Sequence, residues 1–285
     1  MKIAIASGKG GTGKTTLATN LASVWAETDN VALADLDVEE PNGRLFLAAE
    51  LIENKTINKQ APQWDSGKCR HSGICKTVCN FNSIIRMGSE LIVIPELCHS
   101  CYACVELCHG GALQMAPIRI GELSVFKACG GLTFVESRLD IGQEQALPLI
   151  SQTKKYIDEH FGDGFIKIYD SPPGTTCPVI EVVKNTDLVV LATEPTPFGL
   201  NDLKLATELI RKMNIDMAVV INRWGIGDSC VEKYCSDNNI DIIARIPHKK
   251  EIAILYSSGK LIYRYDNEFR LQIEKIKSYI TRRLK

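Results

Sequence analysis

The chain has 285 residues, 45% hydrophobic and 24% charged, with a formal net charge of -1, an ordinary globular composition long enough for one large domain or a domain carrying a smaller one. A charge this close to zero supplies no basic field for a phosphate backbone, so no nucleic acid partner is expected. No apolar run approaches the roughly 18 residues of a membrane-spanning helix and no cleavable leader opens the chain, so the expectation is a cytoplasmic protein without membrane association.

The first predicted element is a short apolar strand, KIAIAS at 2-7, followed by GKGGTGKTT at 8-16 and by LATNLASVWA at 17-26, whose apolar residues recur at helical spacing. The middle segment satisfies G-x-x-x-x-G-K-[S/T] between a strand and a helix, the context that pattern needs. Its residue types suit phosphate. Gly8, Gly10, Gly11 and Gly13 let backbone N–H groups curl around phosphate oxygens, with Thr12 and Thr16 in the same cradle. Lys14 then neutralises the β and γ charges, the Thr15 hydroxyl ligates magnesium, and the helix N-terminus adds the positive end of its dipole. ATP with magnesium is the expected ligand.

A second strand, VALAD, follows at 31-35. From Ala61 to Pro117 cysteines and glycines break the rhythm, which predicts an inserted domain at 61-117 between nucleotide-domain segments 1-60 and 118-285. Beyond it FIKIYD (165-170), LVVLAT (188-193), MAVVIN (217-222) and IIARIP (242-247) alternate with amphipathic stretches. That alternation predicts an α/β fold, a mostly parallel sheet covered by helices on both faces. The amphipathic, basic RLQIEKIKSYITRRLK that ends the sequence reads as a docked helix.

Seven of the 11 cysteines lie between Cys69 and Cys108. Clustered thiols in a reducing compartment point to metal rather than to disulfides. Cys129, Cys177, Cys230 and Cys235 are scattered and read as small buried hydrophobes. CHSCYACVELC sets Cys98, Cys101, Cys104 and Cys108 at the C-x2-C-x2-C-x3-C spacing of two-cluster ferredoxins, with His109 replacing the usual proline. Zinc favours separated pairs, so iron–sulfur is preferred. In such a run the fourth cysteine ligates the other cluster, which leaves Cys79, Cys98, Cys101 and Cys104 as one complete 4Fe–4S set. CRHSGICKTVC at 69-79 adds Cys69 and Cys75 to Cys108 for the other cluster, with Ser72 where a cysteine is expected. A serine oxygen is a hard, poor ligand for iron. This cluster is therefore read as 3Fe–4S, or as 4Fe–4S with its odd iron on Ser72, His71 or an exogenous ligand.

GKGGTGKT resembles the deviant Walker A loop of the MinD/ParA/Mrp superfamily of P-loop NTPases, which includes the nitrogenase iron protein. With PPGTTCPVIEVVKNTD and TEPTPFGLNDLKLA, the whole chain is similar to MinD-superfamily ATPases that contain an inserted ferredoxin-like domain. The resemblance implies that Lys9 reaches across a dimer to the partner's nucleotide, so that ATP binding gates association. It also implies that Asp37 orients the attacking water, that Asp35 supports the magnesium shell, and that Asp170 is the Walker B carboxylate, with Gly174 sensing the γ-phosphate. Lys9, Lys14, Asp37 and Asp170 then form the catalytic set, while Asn222, Arg223 and Pro247 contact adenine. Two positions depart from the pattern: Ser72, and Asn201, where a histidine is expected before Asp202. Cys177 lies seven residues after Asp170, the offset of a cluster cysteine in the nitrogenase iron protein, and is read as structural or at most an accessory ligand.

Three functions follow. An ATP-dependent homodimer, or a heterodimer with a paralogue, gates electron transfer from the clusters to a redox partner protein. Alternatively, the protein carries or scaffolds metal cofactors for a metallocofactor partner, or it is a MinD-like positioning ATPase.

Overall fold

Short runs of Val, Ile, Leu and Ala bounded by glycine or polar residues are too short for buried helices and form strands. The computed structural model describes residues 1-284. In chain order its elements are β1 (Lys2–Ala6), α1 (Lys14–Trp25), β2 (Asn30–Asp35), β3 (Ala49–Trp64), α2 (Ile74–Val78), β4 (Ile84–Met87), β5 (Glu90–Val93), α3 (Ala103–Glu106), β6 (Leu113–Ala128) and β7 (Leu132–Leu139). There follow α4 (Ala146–His160), β8 (Phe165–Asp170), α5 (Cys177–Val183), β9 (Leu188–Thr193), α6 (Pro197–Lys212), β10 (Met217–Trp224), α7 (Cys230–Asp237), β11 (Ile242–Pro247), α8 (Lys250–Ser257) and α9 (Asn267–Leu284).

Among the described residues nine strands form one sheet in the order β11-β10-β9-β1-β8-β2-β7-β6-β3. The six pairs from β11 to β7 are all parallel, so the fold is α/β with a mostly parallel sheet. The chain leaves β1 for β2 on one side of it and later reaches β9 on the other, which makes β1 a topological switch point. Ligands of open parallel sheets bind there, outside the carboxyl ends of the strands.

Both faces are covered. Ile3 and Ile5 join Leu17, Leu21 and Trp25 of α1 and Phe269, Ile273, Ile276 and Ile280 of α9 in one buried cluster. Ala4 and Ala6 point to the other face by the two-residue period and are buried as well. Outside that cluster α5 packs on β1 and α6 on β9, burying Val179, Val182, Leu203 and Ile210. The four buried side chains of α9, each contributing about 1.5–3 kcal/mol, make it a docked element of the core.

Three elements differ from the sequence expectation. Helix α1 starts at Lys14 rather than 17 because Gly13, at φ 92, ends the preceding turn in the left-handed region. The sequence announces neither β3 nor β6, 16 residues each, because charged and apolar side chains interleave along them and pairing, not an apolar run, makes them strands.

Contacts divide the chain into two compact units: Met1–Lys55 with Leu123–Arg138 and the chain from Ile150 onward, and Thr56–Glu122 with Leu139–Leu149. The second is wider than the 61-117 window and adds a segment from beyond it. It contains α2, α3 and the antiparallel β4–β5 hairpin, in which Ile84 faces Val93.

One buried cation ties two helices of the first unit. Lys154 of α4 donates to the carbonyls of Glu181, Val182 and Lys184 at 2.6, 2.8 and 2.7 Å, satisfying the C-terminal end of α5. Burial lowers its pKa to about 8. Replacement by methionine keeps the stem and orphans three carbonyls, so Lys154→Met is expected to cost about 2 kcal/mol, read as a lower urea midpoint at unchanged slope. A variant as stable as the wild type would show that water replaces the ammonium at no cost.

Candidate functional site

The phosphate loop lies at the switch point. Gly11 and Gly13 take φ of 75 and 92, the region that turns successive N–H groups inward. A side chain at Gly8 would strike the Asp202 carbonyl of α6, so the loop is seated on that helix. Ser7 Oγ donates to the Lys9 carbonyl at 2.6 Å, and the Gly174 N–H donates to the Ser7 carbonyl at 3.0 Å, joining the loop to the segment after β8. The Thr12 hydroxyl is shielded from solvent and has no hydrogen-bond partner among the described residues. Lys14, the first residue of α1, is buried; burial lowers its pKa, against the opposing charges of Asp170, Asp37 and Asp35.

Parallel pairing of β2 with β8 sets Asp35 directly opposite Asp170. Asp35 accepts N–H bonds from Asn42 and Gly43 on one oxygen, at 2.9 and 2.8 Å, and from Asp37 on the other, at 3.2 Å. Burial outweighs those donors and lifts its pKa to about 7. Asp170 is worse placed: among the described residues its two buried oxygens accept no well-formed hydrogen bond, and the Thr15 hydroxyl beside them is the one donor that bears on their charge. Burial, and then the charge of Asp35, push its pKa well above the carboxylate range, only partly opposed by the Thr15 hydroxyl and Lys14. Asp37 is raised by burial too, with Lys14 opposing. Among the described residues no three His, Cys, Asp or Glu side chains converge as a metal-ion site.

The structure also brings together residues from the ends of β9, β10 and β11. Asn222 Nδ2 donates to the Thr12 carbonyl at 2.8 Å, and Pro247 is in register with Trp224. Arg223 has a left-handed backbone at φ 51, uncommon outside glycine and asparagine. Its guanidinium meets Glu194 at 2.8 Å, and Lys9 meets the other oxygen of the same buried carboxylate at 3.4 Å. Sequence reasoning passed over Glu194. The signal was a carboxylate directly after the apolar run 188-193, the same placement that drew attention to Asp170.

In the second unit the seven thiols separate into two cavities. One, of about 150 Å³, is lined by Cys69, Cys75 and Cys108 together with Ser72 and His71. The other, about 20 Å³, is lined by Cys79, Cys98, Cys101 and Cys104. Electrostatics divide in the same way: burial and then Cys98, Cys101 and Cys79 lift Cys104 to about 11, while burial with Cys69 and Cys108 raises Cys75. The cavities belong to an internal repeat offset by 29 positions, from Cys69 to Cys98. In each half a 3-10 turn precedes the first cysteine, a left-handed residue follows (His71, Ser100), and its N–H donates to the cysteine sulfur at 3.4 Å. A second left-handed residue (Gly73, Tyr102) then opens a short helix. Ser72 occupies in the first half the place of Cys101 in the second, and both are exposed.

The scattered cysteines do not share one environment. Cys235 is buried, but Cys129, in the turn between β6 and β7, and Cys177, at the first residue of α5, are exposed, so the expectation of small buried hydrophobes fails for both. No helix among the described residues is long and apolar enough to cross a membrane.

A parallel α/β sheet with a glycine-rich loop at its switch point defines a nucleotide-binding protein of the P-loop class. The chain belongs to the family described as CobQ/CobB/MinD/ParA nucleotide binding domain, which matches residues 3-262. Among its relatives is an uncharacterised protein of Methanocaldococcus jannaschii, 32% identical over 98% of this chain and 97% of that one. An iron-sulfur cluster carrier protein of Pyrococcus horikoshii is 24% identical over 86% of this chain and 73% of that one. The fold is that of the Pyrococcus horikoshii septum site-determining protein MinD complexed with Mg-ADP, at a TM-score of 0.58 and 17% identity over 98% of this chain and 95% of that one.

The carboxylate pair predicts a pH dependence. Asp35 holds its proton more tightly when folded, at about 7, than at its ordinary 3.8, so its stabilising contribution is complete below about 4 and is lost as pH rises through 7. Thermal midpoints of nucleotide-free protein in EDTA, taken as wild type minus Asp35→Asn, are expected to fall between about pH 4 and 7. A difference that rises with pH would mean that the buried carboxylate is stabilised as the anion.

Proposed function

We propose that the protein is a dimeric ATP-dependent switch whose nucleotide state controls electron transfer through two iron–sulfur clusters held in the second unit. The observation that carries the reading is the sorting of seven thiols into two separate cavities, each with its own set of cysteines. Cys79, Cys98, Cys101 and Cys104 would hold a 4Fe–4S cluster. Cys69, Cys75 and Cys108 would hold the other, 3Fe–4S or 4Fe–4S, with Ser72 or His71 at the remaining corner. Each cluster, when bound, supplies a one-electron redox centre.

On the nucleotide side, the unpartnered Asp170 oxygens and the Thr15 hydroxyl offer the few oxygen ligands that magnesium takes beside phosphates and water. The bound ion neutralises charge developing on the phosphates. Backbone N–H groups of 8-16 and Lys14 would cradle the phosphates, Asp37 would orient water by accepting its hydrogen bond, and Asn222, Arg223 and Pro247 would flank the base. Asp35, its oxygens engaged by three backbone amides, would act on magnesium from behind Asp170. Lys9, held by Glu194 in the single chain, would exchange that partner for phosphate of a second subunit, as the deviant Walker A pattern implies. Lys9→Ala is expected to keep nucleotide binding and lose MgATP-dependent dimerisation in sedimentation; a variant that still dimerises with MgATP would remove Lys9 from the interface.

A second reading, delivery of clusters to an acceptor, draws on the 24% identity to an iron-sulfur cluster carrier protein and on the exposed corner at Ser72. The deciding experiment is iron and sulfide analysis with EPR-monitored redox titration of anaerobically purified protein, with and without MgATP. Gated electron transfer predicts two clusters and a nucleotide-dependent potential shift on the order of 60 mV, a tenfold change in a one-electron equilibrium. Unmoved potentials together with transfer of iron and sulfide to an apo-ferredoxin would favour delivery. Protein that binds no iron would overturn both.

A further inference from the structure

Trp64 ends β3 and lines the cavity of Cys69, Cys75 and Cys108. Its Nε1 is shielded from solvent and has no hydrogen-bond partner among the described residues. An indole N–H can only donate, and a buried donor left unpaired in a native fold calls for an acceptor. Sulfides and thiolates of a cluster are such acceptors.

The ring is held from both directions. It packs beside the Ile84–Cys104–Leu113 core, and the next residue, Asp65, donates its N–H to the Ala112 carbonyl at 2.8 Å and accepts from Gly67 N–H at 3.0 Å. In the other half of the repeat the matching residue, 29 positions on, is Val93, which ends β5; the following Ile94 donates to the Ser83 carbonyl at 2.8 Å, the counterpart of the Asp65–Ala112 bond. Backbone and register are therefore repeated, while the side-chain donor stands on one side only. Donors to cluster sulfur favour the reduced, more negative state and raise the reduction potential.

We propose that Trp64 donates its indole N–H to the group bound by Cys69, Cys75 and Cys108 and raises that group's reduction potential, with no equivalent donor from Val93 in the second cavity. The inference rests on the cluster reading above.

The test is an EPR-monitored redox titration of the full chain, with the first-cavity signal identified as the one lost in Cys69→Ala. Trp64→Phe keeps the ring without the donor. It is expected to lower the potential of that signal, leave the other where it was and retain the iron content, and Trp64→His, which restores a ring donor, is expected to recover part of the shift. Potentials unmoved in Trp64→Phe, or both moved together, would overturn the inference. Because a changed ring can disturb packing, a second reading uses unmodified protein labelled with 15N at the indoles: one N–H signal shifted by the unpaired electrons is expected, and a set of purely diamagnetic, solvent-exchanging signals contradicts it. Wild-type protein without iron defeats the cluster reading itself, an outcome distinct from an unchanged potential in iron-loaded Trp64→Phe.

Discussion

Two carboxylates forced side by side set the terms for the nucleotide-binding unit. Parallel pairing of β2 with β8 puts Asp35 opposite Asp170 at the carboxyl edge of the sheet, where burial disfavours charge on both. Asp35 is anchored by three backbone amides; Asp170 has none and depends on Lys14 and Thr15. Lys14, itself buried, cannot balance three nearby carboxylates. A fold selected for stability alone would not keep this arrangement, since replacing unpaired buried charge by apolar groups is often neutral or favourable. Under the proposed function a divalent cation and a polyphosphate together would change that: the carboxylates would hold the ion, and Lys14 and the loop would hold the phosphates. Strain and ligand preference at this edge have the same origin.

The second unit uses a different device, near-symmetry that is broken at chosen places. Two halves share turn, left-handed residue, N–H···S bond and short helix, so the backbone treats the cavities alike. Side chains then separate them. Ser72 answers Cys101, Trp64 answers Val93, and Arg70 answers His99, whose ring stacks on Phe81 at 3.9 Å. One cavity becomes small and closed by apolar groups, the other larger and lined by polar donors. Under the proposed function the two clusters would differ in potential, and these three positions are where a shared backbone permits a difference.

What the sequence disclosed follows from how local each signal is. The phosphate loop is read from consecutive residues because its chemistry is local: glycines for backbone geometry, Lys14 and Thr15 for charge and oxygen. The strands around it are legible because burial on both faces leaves continuous apolar runs. β3 and β6 are not, since exposed charges hide the pattern along both and the two strands, neighbours in the sheet, lie far apart in sequence. Glu194 escaped for a related reason: only the fold brings Lys9, 185 positions before it, and Arg223, 29 positions after it, onto one carboxylate. Trp64 has no motif at all; its meaning comes from an unmet hydrogen bond, which exists only in three dimensions.

The boundary between the units bears on how a nucleotide switch would reach a redox centre. Domains are commonly joined by exposed flexible linkers. Here all four crossings fall inside regular elements: β3 between Lys55 and Thr56, β6 between Glu122 and Leu123, β7 between Arg138 and Leu139, and α4 between Leu149 and Ile150. β7 is the most direct of these, because Asp35 is in register with Glu136, three residues before the crossing into the second unit. Under the proposed function a change in the charge state at Asp35 would act on β7, whose last residue, Leu139, belongs to the second unit. Under the proposed function, the insertion is built into the elements that sense nucleotide, and coupling needs only that the two nucleotide states hold β2 and β7 differently.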